Sequence, residues 1–501
     1  MTCSDGTFQT IFYHSGVGST PTLLSQLLGG AFGVGIAENI REVYSYICAN
    51  YVDGDEIVLV GFSRGAYTAR AVAGMISDLG LLTRDGMEYF YPVFKDMQNW
   101  MDPGYEDEFP QLPFENKPKG PHAKEEYRTR LVQANLTRWY NTTLSTQVEH
   151  GFHALALDES RNAFGPTLWE RLPEQRDSTD LRQVWFPGSH INVGGGEKDQ
   201  GVSNITLAWM MDQLASIGCE FQEDSIDKIH SRNIEYYKKL QPVHKSGFFG
   251  RWFSYFVLKA QTKERPWALK PIWEGNKPIR PWSLHTTVAV DNLLYRIIGV
   301  KAREPGLYKK INPQTGRPTQ DFLVDTNERI HPSVRVRLAC EGLGPNDSGL
   351  WHCPSLLKDW RPRLVNINVH DPVSKNASWG PSWAKAEGRS HEAIAKNEIQ
   401  PNSGNEAPED IDICVTLDRK ATPLRWVWEY VGKGAHAPYE TTMVEEKMGP
   451  FEIHLLNLAR GSVPVHEFAK KQDASDFKAV KRLVTKSSFF KAIWKGNPTS
   501  E

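Results

Sequence analysis

One pentapeptide in this chain has the composition for covalent chemistry: Gly61-Phe62-Ser63-Arg64-Gly65, a G-x-S-x-G set between the apolar run Ile57-Val58-Leu59-Val60 and the helix-like Tyr67-Thr68-Ala69-Arg70-Ala71-Val72. Glycines on either side of a serine let a strand turn sharply into a helix, which lifts the hydroxyl above the sheet edge and points the helix N-terminus at it. That terminus favours a developing oxyanion. The blander alternative is an ordinary strand-to-helix turn in which Ser63 caps the helix.

A serine nucleophile needs a base and an orienting carboxylate, which on an α/β sheet follow in the order Ser, then Asp or Glu, then His, each at the carboxyl end of a later strand. Asp158 closes the apolar run His153-Ala154-Leu155-Ala156-Leu157, and His190 follows Val184-Trp185-Phe186 through the turn Pro187-Gly188-Ser189. Glu159 is the second-choice carboxylate and His153 a rival base. The alternatives are a helix cap for Asp158 and a surface loop for His190. His150 and His153 form H-x-x-H, a metal-binding spacing on a helix, but three residues apart on a strand they face opposite sides, so no metal site is expected and a satisfied structural histidine is the better reading of His153. Glycine clusters at 29–35 and 194–196 match neither G-x-G-x-x-G nor a P-loop, so they are read as turns rather than a nucleotide cradle.

The elements that would position these groups alternate between strand-like and helix-like from residue 11 to about 224, the pattern of an α/β domain with a mostly parallel sheet covered by helices on both faces. Strands are expected at 56–61, 152–157 and 181–186, a helix at 87–100, and a Pro-rich acidic surface loop at 101–121. After 224 the sequence becomes Trp- and Pro-rich, with β-type runs at 334–338, 364–369 and 426–431 that suggest a second, mixed α+β region, 225–501. Residues 371–410 are too polar to build a core.

With 501 residues, 40% hydrophobic and 24% charged, the chain has the composition of a globular protein. A net charge of -2 supplies no field for nucleic acid, so no nucleic-acid partner is expected. Six cysteines without a C-x-x-C pair fit a reducing compartment, and the absence of a leader-like N-terminus or a long apolar run points to a cytoplasmic protein without a transmembrane segment. Two stretches are candidates for peripheral membrane contact: the aromatic 247–259, a lid or interfacial helix unless it packs between domains, and the basic 470–495, unless it is a solvated helix.

Three blocks in order, GGAFGVGIAENIREVYSYICANYVDGDEIVLVGFSRGAYTARAVAGMI, HALALDESRNAFGPTLWE and QVWFPGSHINVGGGE, resemble the α/β-hydrolase-like domain of many fungal and bacterial proteins, related to the catalytic domain of type VI secretion phospholipase effectors. The resemblance covers about the first 220 residues and implies an α/β-hydrolase-like fold and a serine hydrolase of lipid or phospholipid acyl esters. It puts the nucleophile on Ser63. Strand order within the blocks adds Asp158 and His190, with oxyanion donors from the Arg64 N–H and from the turn near Gly6 or Thr7, and no cofactor. Three features depart from the family pattern. Asp5-Gly6-Thr7 runs almost at once into Tyr13-His14-Ser15-Gly16, no Trp-Asp-Thr-Val strand precedes HALALDE, and Asn192 and Glu197 stand where Asp and Tyr are usual. These departures motivate the alternative of a hydrolase-fold interaction protein impaired in catalysis.

Overall fold

The computed structural model describes residues 8–15, 32–102, 104–120, 122–138, 148–176, 178–197, 199–222, 224–239, 273–274, 277–278, 287, 299–312, 318–339, 344–347, 351–366, 424–433 and 437–462. The chain divides into two compact units: Met1–His150 with Pro173–Thr179 and Ile311–Thr319, and Gly151–Leu172 with Asp180–Lys310 and Gln320–Glu501. This division does not follow a boundary at 224. Strands from the late part of the chain pair directly with an early one, so the two belong to a single sheet.

The first unit is mainly helical: α1 (Phe32–Asn50), α2 (Arg64–Leu79), α3 (Arg84–Met87), α4 (Phe90–Asn99) and α5 (Ala123–Gln133), with short β1 (Leu81–Leu82) antiparallel to β2 (Thr137–Arg138). In α2 the buried residues Thr68, Val72, Met75 and Leu79 recur at helical spacing and form one stripe. That stripe shares a core with Ile40, Tyr44 and Cys48 of α1 and with Phe90, Tyr127 and Leu131. The Tyr44 hydroxyl donates to Gly80 O at 2.6 Å and accepts from Leu82 N at 3.1 Å, tying α1 to the chain that leaves α2. The 101–121 loop is pinned as well: Lys117 inserts a buried side chain between Asp96 (2.8 Å) and Asp107 (2.9 Å).

Residues 56–61, expected as a strand, join no ladder among the described residues. Ile57, Val58, Val60 and Phe62 are all exposed there. β-propensity fits a residue to a pleated surface, but a strand exists only with a partner, which the described residues of the first unit do not offer this segment.

The second unit is built on a six-stranded mixed sheet of β3 (His150–Ala156), β4 (Asp180–Phe186), β5 (Glu328–Ile330), β6 (Trp360–Asn366), β7 (Leu424–Tyr430) and β8 (Thr442–Glu445), in the order β6-β7-β8-β5-β4-β3. β4, β5 and β8 pair in parallel, and β6, β7 and β8 antiparallel. Around it stand α6 (His190–Gly194), α7 (Gly201–Ser216), α8 (Ser225–Lys239), α9 (Pro332–Ala339), α10 (Pro354–Leu357) and α11 (Pro450–Ser462). The fold is α/β, as the alternation implied. Alternate residues of β4 feed two cores: Trp185 joins Leu155, Ile330, Trp360 and Trp428, while Val184 and Phe186 join Ile205, Trp209 and Leu455. By area, each buried indole contributes on the order of 4–6 kcal/mol.

Residues 334–338 are a helix rather than the expected strand. Pro332 opens α9 and the buried Val334 and Leu338 lie four apart, whereas Arg335 reaches Glu445 at 2.8 Å. Two buried arginines of this unit are paired: Arg182 with Asp180 (2.6 Å) and Arg329 with Glu446 (2.7 Å). His331 Nε2 lies 2.5 Å from Glu452 Oε1 and its Nδ1 2.7 Å from the Ser333 hydroxyl, all three fully enclosed. Asp212 accepts from Phe451 N (2.9 Å) and Glu452 N (3.0 Å), so a side chain of α7 caps the first turn of α11.

Candidate active site

Ser63 ends the extended segment and immediately precedes α2. Its backbone sits at φ 56° and ψ -118°, a conformation that costs a non-glycine residue roughly 1–3 kcal/mol and persists only where neighbouring structure imposes it. A Cβ on Gly61 would stand 2.2 Å from Gly65 O and 2.5 Å from Ala66 N, so the chain closes on itself too tightly for any side chain at 61. Gly65, in contrast, has open space around its would-be Cβ. The turn is fastened by Gly65 N donating to Phe62 O at 2.8 Å and Tyr67 N to Ser63 O at 3.2 Å. Ser63 is exposed and makes no capping hydrogen bond to α2, which removes the ordinary capping role. Arg64 begins the helix, so its N–H is among those left without an intrahelical acceptor. Gly6 and Thr7 lie outside the described residues, as do 247–259 and 470–495.

Asp158, Glu159 and His190 belong to the second unit, and two adjacent strands deliver them. Leu157 N donates to Phe186 O and Asp158 N to Gly188 O, both at 3.0 Å, which continues the β3–β4 pairing beyond the strand ends. Both chains therefore leave the sheet at the same edge. The 187–190 turn needs glycine at 188, where φ is +99° and a Cβ would approach Asn192 Cβ to 2.7 Å. Asn192 Oδ1 accepts from Ser189 N (3.1 Å) and from the Ser189 hydroxyl (2.9 Å). Asn192 thus has a structural duty here that needs an acceptor oxygen and no charge.

The two neighbouring carboxylates divide the turn between them. Asp158 Oδ2 accepts from Gly188 N at 2.6 Å and its Oδ1 from the indole Nε1 of Trp351 at 2.8 Å. Burial pushes the Asp158 carboxyl above its usual range, while the Trp351 and Gly188 hydrogen bonds pull the other way. Glu159 Oε2 accepts from His190 N at 3.2 Å, and its two oxygens hold Arg161 from both Nε (2.8 Å) and Nη2 (2.6 Å). Burial would raise Glu159, but the hydrogen bonds from Arg161 and from His190 N carry it below the usual carboxylate value. Asp158 is thus the anchor of the turn, and Glu159 is the carboxylate whose charge acts on His190.

Burial lowers the His190 pKa below that of a free histidine, Glu159 opposes this, and Arg161 and Arg303 reinforce it. The imidazole is therefore neutral at pH 7, the state a general base requires. Its ring packs edge-on against Phe164 at 5.0 Å between centroids, and the Arg161 guanidinium lies 3.8 Å from the centre of the same ring. His153 has a different role: its Nδ1 lies 3.2 Å from Gln183 Oε1 on β4, and Gln183 also binds Trp169 N and Thr326 O. It is a structural histidine inside a cross-strand network.

Sequence reasoning missed Arg161, Phe164, Arg303 and Trp351. Arg161 carried a faint signal, as a cation two residues after Glu159. Trp351 and Arg303 carried none, since they reach the site only through the pairing of late strands with early ones.

Residues 1–137 and 123–213 match the family described as type VI secretion system phospholipase effector Tle1-like, catalytic domain. The N-terminal part of the chain is similar to that catalytic domain. An uncharacterised protein of Saccharomyces cerevisiae is 26% identical over 201 residues, which takes in 34% of this chain and 28% of the yeast protein. The chain thus spans under a third of that relative's length. No solved structure matches significantly. Among the described residues no helix is long and apolar enough to cross a membrane.

Proposed function

We propose that this chain is a cytoplasmic serine hydrolase of lipid or phospholipid acyl esters, with Ser63 as nucleophile. The observation that carries the reading is the backbone of Ser63, held at φ 56° and ψ -118° between a glycine that admits no side chain and the start of a helix. Strain of this kind collects at functional positions. The similarity to a phospholipase effector catalytic domain supports the same chemistry.

In this mechanism the Ser63 hydroxyl attacks the acyl carbonyl as the His190 imidazole takes its proton, and the oxyanion is met by the Arg64 N–H and by a second N–H near Gly6 or Thr7. Collapse expels the alcohol, to which His190 returns the proton. Water activated by His190 then releases the fatty acid and frees Ser63. Asp158 is the orienting acid in this reading, acting through the turn that bears His190, while Glu159 favours the imidazolium formed in the transition state. A fluorophosphonate probe should label the wild-type chain at Ser63 and leave folded Ser63→Ala unlabelled. Labelling that persists in the variant would overturn the assignment.

One observation favours a second reading, a catalytically impaired interaction module: the apolar residues Ile57, Val58, Val60 and Phe62 are open to solvent directly before Ser63. It predicts folded protein that neither takes up the probe nor cleaves esters.

A further inference from the structure

Three buried guanidinium groups in the second unit come with carboxylates. Arg161, Arg182 and Arg329 each meet one at 2.7 Å or less. Arg303 does not. It is 4% exposed, yet among the described residues no carboxylate forms an ion pair with it. Its Nη2 is fixed by two carbonyls, Phe164 O at 2.7 Å and Arg161 O at 3.1 Å. The carboxylate that acts on it, Glu159, is already held in a two-point grip by Arg161. Burying a cation without its anion is costly, and the cost is recovered when an anion arrives from outside.

The place of this group is set by backbone pairing. Lys301 N donates to Ser160 O (2.8 Å), Asn162 N to Gly299 O (3.1 Å), and Arg161 bridges Val300, so residues 299–303 lie along the segment that follows Asp158 and Glu159. Arg303 and Arg161 both act electrostatically on His190. Two guanidinium groups against one carboxylate leave a surplus positive charge beside the proposed base.

We propose that Arg303 is an anion-binding residue that takes the phosphodiester of a lipid head group beside His190. A guanidinium already anchored through one nitrogen presents its remaining donors in a fixed fork, the geometry that suits phosphate oxygens. The proposal rests on the hydrolase reading, which it narrows from esters in general to esters carrying a phosphodiester.

The test uses the full chain labelled with 13C at the histidine Cε1 positions, with the His190 signal assigned from its loss in His190→Asn. Glycerophosphocholine and inorganic phosphate are titrated separately. The expected result is a saturable shift of the His190 signal with glycerophosphocholine, its apparent affinity weakened about tenfold in Arg303→Gln and less in Arg303→Lys, which keeps the charge and loses the fork. In parallel, kcat/KM for dihexanoylphosphatidylcholine should fall about tenfold further in Arg303→Gln than that for p-nitrophenyl butyrate, which carries no phosphodiester. Absence of a wild-type shift, or an affinity unchanged in both variants, overturns the proposal. Equal response to inorganic phosphate overturns the head-group assignment in favour of a free-phosphate site. Should neither ester be cleaved by the wild type, the hydrolase reading fails, and the titration still decides the anion site.

Discussion

The two compact units prepare their chemical groups in opposite ways. In the first, Ser63 is shaped by five consecutive residues: Gly61 permits the close approach, the 62–65 hydrogen bond closes the turn, and α2 holds the chain on its far side. In the second, His190 depends on partners gathered from across the chain: Phe164 and Glu159 upstream, Arg303 far downstream, and Asp158 held by Trp351. Reactivity made from backbone strain is a local matter. Reactivity made from burial and charge needs a completed sheet.

The sharpest way to break this contrast is to ask whether the two preparations serve one machine. Ser63→Ala and His190→Ala should each lower kcat by about 10⁴–10⁶, and the double variant should be no worse than either alone. Additive losses on esterase assay would show that the two groups act independently.

A second measurement probes the charge buried in the second unit. Burial pushes His331 down to about 3, so the folded state resists a proton that the unfolded chain binds near pH 6.5. The stability this histidine contributes is complete above that pH and is lost on acidification, at up to about 1.4 kcal/mol per pH unit. Asp212 and Glu452, raised well by burial, act in the opposite sense: what they contribute is present at low pH and lost as pH rises through their folded values. As pH is lowered from 7.5 to 4.5, the urea midpoint of His331→Gln should gain on that of the wild type, because the variant lacks the imidazole that resists protonation. Parallel slopes would remove the histidine from the account.

Next in size is the glycine asymmetry of the first unit. Gly61→Ala should destabilise by about 1–3 kcal/mol and depress esterase activity, because the new methyl group meets backbone. Gly65→Ala lies in helix α2 with room to spare and should be neutral or stabilising by up to about 1 kcal/mol. Equal effects in chemical denaturation would show that the turn does not have this shape. The smallest expected change is Trp351→Phe, which keeps the ring in its buried place and removes one donor to Asp158. It should cost about 1–1.5 kcal/mol, read as a lowered melting temperature.

The same contrast explains how much was legible in the sequence. The G-x-S-x-G turn and the helix after it were readable because everything that determines them lies within twenty residues. β3, β4 and β7 were readable because apolar residues run together there, whereas the expected run at 364–369 catches only the end of β6 and otherwise lies outside the described residues. Residues 334–338 read as a strand because Val-Arg-Val-Arg-Leu alternates, but Pro332 and the four-residue spacing of Val334 and Leu338 win once both can be buried. The segment 56–61 shows the reverse failure, since its propensity is clear and it joins no ladder among the described residues. For the site, residue types and strand order pointed to Asp158, Glu159 and His190, but the division of labour between the two carboxylates could not be read. It depends on Trp351, nearly two hundred residues away.

The parallel centre of the sheet has a consequence for how the protein is made. β4 at 180–186 has β5 at 328–330 as its neighbour, and β5 in turn has β8 at 442–445. A ribosome has to deliver more than 250 further residues after β4 before that centre can close, and loop closure over such spans is slow. Through this interval Val184, Trp185 and Phe186 lack their final neighbours, and the nascent chain carries its stickiest strand early and its protection late. Newly made chains should therefore lean on chaperones during synthesis, and any truncation ahead of residue 442 should yield aggregates rather than a smaller folded protein.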